Sequence, residues 1–266
     1  MSWVMFRRAV KDLRWTVFWY ALGIALYSVL VIAYYPTFRD NAELFTQYME
    51  KLPRGLIQAF GISDFGSFAG FIGGEFLNVM WPLIVSIFVI MAGAATVAQE
   101  IERGTIEFWL SVPESRSRLL WAKLASLLAA IVALVLATVG SLTLGATMIG
   151  EALPAKGVLA MTLNLTAFAV AIGGYATLFS SFSNERGRPA AMAAGLTLAF
   201  YLLWVIGQLS ERWHWLKYLS IFSAYEPQQA LMDGQIPGAG IAVLVLAGLV
   251  CATVAVAIFQ RRDAIS

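Results

Sequence analysis

The sequence predicts an all-α integral membrane protein with six transmembrane helices, and three observations carry that reading. Hydrophobic residues make up 60% of the 266 and charged residues only 13%, with a mean hydropathy of +0.75, far from the balance of a soluble domain. Six apolar runs, at about 15–35, 77–98, 119–148, 157–181, 189–208 and 239–259, are each long enough to cross ~30 Å of hydrocarbon and leave little chain for anything else. The basic residues also divide unequally between alternate connections. Twelve of the eighteen Lys and Arg fall with the two termini and with the connections after the second and fourth runs, against six on the other side. Basic residues favour the cytoplasmic face, so both termini are expected there, in a multi-pass protein of the inner cell membrane. The whole chain, 1–266, is read as one transmembrane domain.

In chain order, residues 2–14 read as an interfacial amphipathic helix. Trp3, Phe6, Val10 and Leu13 take one face, and Arg7, Arg8, Lys11 and Arg14 lie mostly opposite. The segment is expected to lie along the inner leaflet before turning into the first span; the plainer alternative is a positive cluster that only sets orientation. The first apolar run is too long for a cleavable signal, and no small-residue cleavage site precedes Tyr34, Tyr35 and Pro36. The outer stretch 36–76 is long and apolar for a connector. Residues 43–52 read as an amphipathic helix with Leu44, Phe45, Tyr48 and Met49 at helical spacing, Pro53 stops it, Leu56, Ile57 and Phe60 continue a second short turn, and a Gly-rich segment returns to the membrane.

The second run ends in Gly93, Ala94 and Ala95 and leads into the polar sequence QEIERGTIEFWLSVPESRSR at 99–118. Gly104 supplies a break, Thr105 can cap a new turn, and Pro113 ends it, which predicts a short helix over 105–111. Ile106, Trp109 and Leu110 form an apolar stripe, with Glu107, Glu100, Glu102 and Arg103 around it. Such a helix fits a groove on another protein; the alternative is a solvated connector whose charges keep it out of lipid. Ser115 and Ser117 are candidate caps for the third span.

Within the spans, Ala125, Ala129, Ala133 and Ala137 make one row of small residues and Ala122, Ser126 and Ala130 a second, either of which permits close helix approach. Gly173, Gly174 and Pro82 are candidate bends, with static packing the plainer reading. Between the last two spans, Trp213, Leu216 and Leu219 or Ser220 mark an interfacial helix, and Pro227 can open a further helix that Gly234 closes. The two outer segments read equally as a lid or a brace. His214 sits between Trp213 and Trp215 in an aromatic belt, and the single Cys251 reads as a small packing residue.

Absences narrow the function. No G-x-x-x-x-G-K-[ST], H-E-x-x-H or G-x-S-x-G occurs, and the spans are nearly free of ionisable groups. These observations disfavour a self-powered pump, an intramembrane hydrolase and an ion-coupled carrier.

The order Glu100, Glu102, Gly104, Thr105 and Glu107, then Leu110, Ser111, Pro113, Ser115 and Arg116, followed by Lys123, resembles E-x-E-x-G-T-x-E-x-L-L-S-x-P-x-S-R. That is the motif of ABC transporter permeases of the type 2, drug, antibiotic and polysaccharide exporting superfamily. Trp109 stands where the family commonly has Leu, and Glu114 where an apolar residue often stands. Six spans, a long first outer loop and the terminal Phe259, Gln260, Arg261, Arg262 and Asp263 are similar to that family over the whole chain.

The resemblance implies a permease half that pairs with a second copy or a similar chain. Cytoplasmic ABC ATPase subunits would supply the energy, moving an amphiphilic or hydrophobic substrate such as a drug, antibiotic, lipid-like molecule or glycan. The 105–111 segment would be the coupling helix, with Glu100, Glu102, Arg103, Gly104, Thr105, Ile106, Glu107, Trp109, Leu110, Pro113 and Arg116 as the residues that meet the ATPase. No cofactor, metal or nucleic acid is expected on this chain, which is not itself an enzyme; ATP and Mg belong to the partner, and membrane lipid surrounds the spans. The alternatives are a membrane scaffold or sensor that recruits a cytoplasmic partner, and a secondary carrier.

Overall fold

In a computed structural model of the chain, residues 3–41, 67–105 and 115–262 are described. Six helices in them are long and apolar enough to cross a membrane: α1 (Trp3–Asp40), α2 (Phe68–Ala94), α4 (Arg116–Met148), α5 (Ala155–Ser181), α6 (Gly187–Leu209) and α8 (Gly238–Arg261). Two short helices complete the set, α3 (Ala98–Glu102) and α7 (Pro227–Asp233), together with 3-10 turns at Glu211–Leu219 and Ile221–Ala224. No strand occurs among the described residues.

The helix α5 is the centre of the bundle: 67% of its most apolar stretch is buried, against 17% for α6 and 22% for α1. Glycine makes this possible. A Cβ on Gly174 would lie 2.4 Å from the Gly248 carbonyl oxygen, and one on Gly248 would lie 2.7 Å from that of Val170, so α5 and α8 touch backbone to backbone. Gly93 brings α2 equally close to α5, where an added Cβ would meet Ala176 at 2.7 Å. Gly173 and Gly174 stay inside an unbroken helix, so packing and not bending is their role.

Three expectations change. The turn expected near Arg14 is absent: α1 runs unbroken from Trp3 to Asp40, through Pro36. No glycine or proline interrupts residues 3–22, and exposed Arg and Lys side chains cost a helix nothing, so the basic segment continues the first span axially. At 1.5 Å per residue this helix is about 57 Å long, well beyond the ~30 Å of hydrocarbon.

The second span begins at Phe68 rather than near residue 77 and ends at Ala94 rather than Ala98. Ser67 caps its start by accepting the Gly70 N–H at 3.1 Å, and Gly73–Met80 is wound as a π-helix. The two alanine rows of α4 also separate: Ala122, Ser126 and Ala130 are buried, whereas Ala129 and Ala133 face outward. The helical turns expected in the outer stretch at 43–60 and the short helix at 105–111, apart from Thr105, lie outside the described residues.

The start of α1 and the end of α8 are placed by packing. Met5, Val97, Leu119, Leu120, Ala255, Val256 and Phe259 form a separate apolar cluster that gathers the start of α1, the end of α2, the start of α4 and the end of α8. The first and last described residues thus share one end of the bundle with the described ends of the polar 99–118 loop. This is the end that carries most of the basic residues.

The opposite end is closed by aromatic rings. Trp81 is fully buried, donates its indole N–H to Thr138 Oγ1 at 2.9 Å and stacks on Tyr225. Phe168 packs at 4.2 Å against the same tyrosine. Pro82 explains the tyrosine's position. Trp81 N–H bonds the Phe76 carbonyl in π fashion, which would assign the Leu77 carbonyl to residue 82, and proline has no N–H to give. The Tyr225 hydroxyl donates to that orphaned carbonyl at 2.6 Å instead.

Nearby, the buried Asn164 holds the approach to α7, donating to Ala224 O at 3.0 Å and accepting from Glu226 N–H at 3.1 Å. The helix expected from Pro227 to Gly234 is present, and Gly234 closes it at φ +64°, a left-handed value that favours glycine. The interfacial segment expected around Trp213 is present as the 3-10 turn, with its tryptophans exposed.

Candidate functional site

The polar loop leaves the bundle through a deliberate break. The helix α2 stops at Ala94 because a side chain replaces its next turn: the buried Ser180 hydroxyl donates to Ala94 O at 2.7 Å and accepts the N–H groups of Val97 and Ala98 at 3.0 Å each. One α5 hydroxyl thereby satisfies three backbone groups that a continuous helix would have paired internally. The chain re-enters helix as α3, then turns off at Gly104, whose φ of +67° suits glycine.

Of the residues the motif singles out, five are gathered at this break, Gly104 among them. Glu100 accepts from Lys123 Nζ at 2.7 Å, in a pair whose side chains are only 20% and 12% exposed, and Thr105 donates its hydroxyl to the same carboxylate. Glu102 accepts the Arg186 backbone N–H at 2.8 Å, tying α3 to the α5–α6 connection. Arg103 is exposed. Ile106, Glu107, Trp109, Leu110 and Pro113 fall outside the described residues.

On the return side, Ser115 caps α4 as expected, accepting Arg118 N–H at 3.4 Å. Arg116 donates to the Arg262 carbonyl, and the Arg262 guanidinium donates to Ser181 O and Ser183 O at 3.0 Å each and to Asn184 Oδ1. A cation placed on the last carbonyls of α5 complements the negative end of that helix. Burial lowers the proton affinity of Arg262 from its ordinary value, while these acceptors favour the charged form. Arg116 therefore faces the end of α8.

The loop's two ends are thus fastened to α4, α5 and α8 through Lys123, Ser180, Arg186 and Arg262. Lys123 is visible in the motif. Ser180 is one of a Ser-Ser pair near a helix end and carries no sequence signal of its own, because what it bonds lies about 85 residues away in the chain.

A cavity of about 440 Å³ opens beside the Glu100–Lys123 pair, between α1 and the ends of α2 and α4. A second, of about 420 Å³, lies at the opposite end among Trp204, Gln208, Phe222 and Glu226. Among the described residues no group of three or more His, Cys, Asp or Glu is arranged to hold a metal ion.

A family model described as ABC-2 family transporter protein matches residues 6–264. No curated protein matches the chain.

Proposed function

The chain belongs to the ABC-2 transporter family and is a membrane permease component, not itself catalytic; on that premise we propose that it is half of an ATP-driven exporter of amphiphilic or hydrophobic substrates. Separate ABC ATPase subunits bind the 99–118 loop on the cytoplasmic side of the cell membrane. The substrate path lies between this chain and a second copy or a similar chain.

The observation that carries this reading is the double anchorage of the loop. A partner pushing on residues 105–114 acts on α3 through Gly104 and on α4 through Ser115. Those elements are joined to α5 by Ser180 and to α8 by the Arg116–Arg262 contact. A solvated connector has no use for a buried ion pair and a buried hydroxyl clamp at its root. Both cost desolvation and ordering, and both make the root of the loop stiff enough to transmit displacement.

The direct test is reconstitution with the ATPase subunit. Glu107→Ala and Trp109→Ala should insert normally yet lose substrate-stimulated ATPase activity and transport. Retention of both activities at full level would overturn the docking assignment.

A further inference from the structure

The cavity beside the Glu100–Lys123 pair is built in two halves. Its floor is apolar, formed by Tyr20, Phe88, Met91, Ala92 and Leu127. Its mouth carries three cations, Arg103, Lys123 and Arg186, against two carboxylates, Asp12 and Glu100. Both carboxylates act on Lys123: Glu100 bonds it, and Asp12 lies close enough to interact electrostatically. Arg103 and Arg186 have no side-chain partner among the described residues, and Arg186 Nε is buried with no hydrogen-bond acceptor. A buried guanidinium N–H without an acceptor is costly, and two guanidinium groups at one mouth suit a phosphate geometrically.

The depth of the cavity says where an occupant would come from. The stretch of α1 that lines it, from Ala9 to Tyr20, also carries Trp15 and Trp19, 61% and 63% exposed, and Arg14 over the Trp15 ring at 5.5 Å. Exposed tryptophans beside arginine mark headgroup depth. The mouth therefore lies level with lipid phosphates, and the floor lies level with the start of their acyl chains.

We propose that this cavity binds an anionic amphiphile from the adjacent leaflet, its phosphate on Arg103 and Arg186 and the first part of one chain on the Phe88, Met91 and Leu127 floor. A volume of about 440 Å³ is within the range of small-ligand sites. The site uses this chain alone, so it stands or falls separately from the docking of an ATPase on the loop.

The experiment uses purified, delipidated full-length protein in neutral detergent. Binding of dioctanoyl phosphatidylglycerol, dioctanoyl phosphatidylcholine and inorganic phosphate is followed by native mass spectrometry and by thermal unfolding. The phosphatidylglycerol should bind about tenfold more tightly than the phosphatidylcholine, a difference of ~1.4 kcal/mol, because the choline cation that accompanies the same phosphate is repelled by the cations at the mouth. Inorganic phosphate should give no shift. Arg186→Gln and Arg103→Gln should each erase the preference, and Ala92→Leu should weaken phosphatidylglycerol by filling the floor. Arg188→Gln, whose arginine pairs with Glu185 away from the cavity, should change nothing.

Equal binding of the two lipids, or a phosphate shift as large as the lipid's, would overturn the proposal. Should Arg186→Gln fail to fold, the exposed Arg103 decides: preference retained in Arg103→Gln overturns it as well.

Discussion

The two ends of the bundle are closed by different chemistry. At the end away from the termini, Trp81, Tyr225, Phe168 and Asn164 form an aromatic lock at the edge of the second cavity, in which nearly every polar atom has a fixed partner. At the basic end, the contacts are single hydroxyls, guanidinium groups and one ion pair, bordering a cavity and the two ends of the polar loop. Aromatic burial is worth several kcal/mol per side chain and does not exchange, whereas polar clamps are individually modest and can be re-formed with other partners. The contrast assigns rigidity to one end and adjustability to the other.

Variants that break the contrast rank by their effect on stability. Trp81→Ala, which removes a fully buried indole and leaves Thr138 without its donor, should cost about 3–5 kcal/mol in denaturant unfolding of the purified protein. Tyr225→Phe keeps the ring but orphans the Leu77 carbonyl again, for a loss of about 1–3 kcal/mol by the same measurement. Ser180→Ala should cost about 1–2 kcal/mol and, unlike the first two, should depress coupled ATPase activity more than its stability loss explains.

Lys123→Met, with Glu100→Gln as the second arm of a double-mutant cycle, should show a coupling energy of about 1 kcal/mol, read as non-additive unfolding free energies. The smallest effect belongs to Arg188→Gln, whose exposed pair with Glu185 should contribute within ±0.5 kcal/mol. If Tyr225→Phe uncouples transport while Ser180→Ala leaves it intact, the assignment of rigid and adjustable ends is reversed.

Much of this was legible in the sequence, and the limits have physical causes. Hydropathy located all six spans, because the requirement to cover hydrocarbon acts residue by residue. The helix from Pro227 to Gly234 and the Ser115 cap were legible because their chemistry is local. The break at residues 95–97 was not. It depends on Ser180, and no periodicity within α2 reports a hydroxyl arriving from α5.

The start of α2 was missed because Gly73, Gly74 and Glu75 look like a loop. They are helical because Gln228 enters the space a Cβ on Gly73 would fill, accepting from Asn78 at 2.7 Å and donating to Gly70 O at 3.2 Å. The continuity of α1 is hidden because a change of polarity along the sequence resembles a change of direction. Charge sets where a helix meets water, but only a lost backbone hydrogen bond bends it.

That continuity has a mechanical consequence. Helical from Trp3 to Asp40, with its one proline, Pro36, only four residues from the end, α1 is a lever whose fulcrum is wherever the bilayer grips it. For a rod of about 57 Å held near its middle, a tilt of ~10° carries each tip sideways by about 5 Å in opposite directions. A modest swing of the charged stub beside the Glu100–Lys123 pair would therefore be felt, with reversed sign, at the far tip near Arg39 and Glu151.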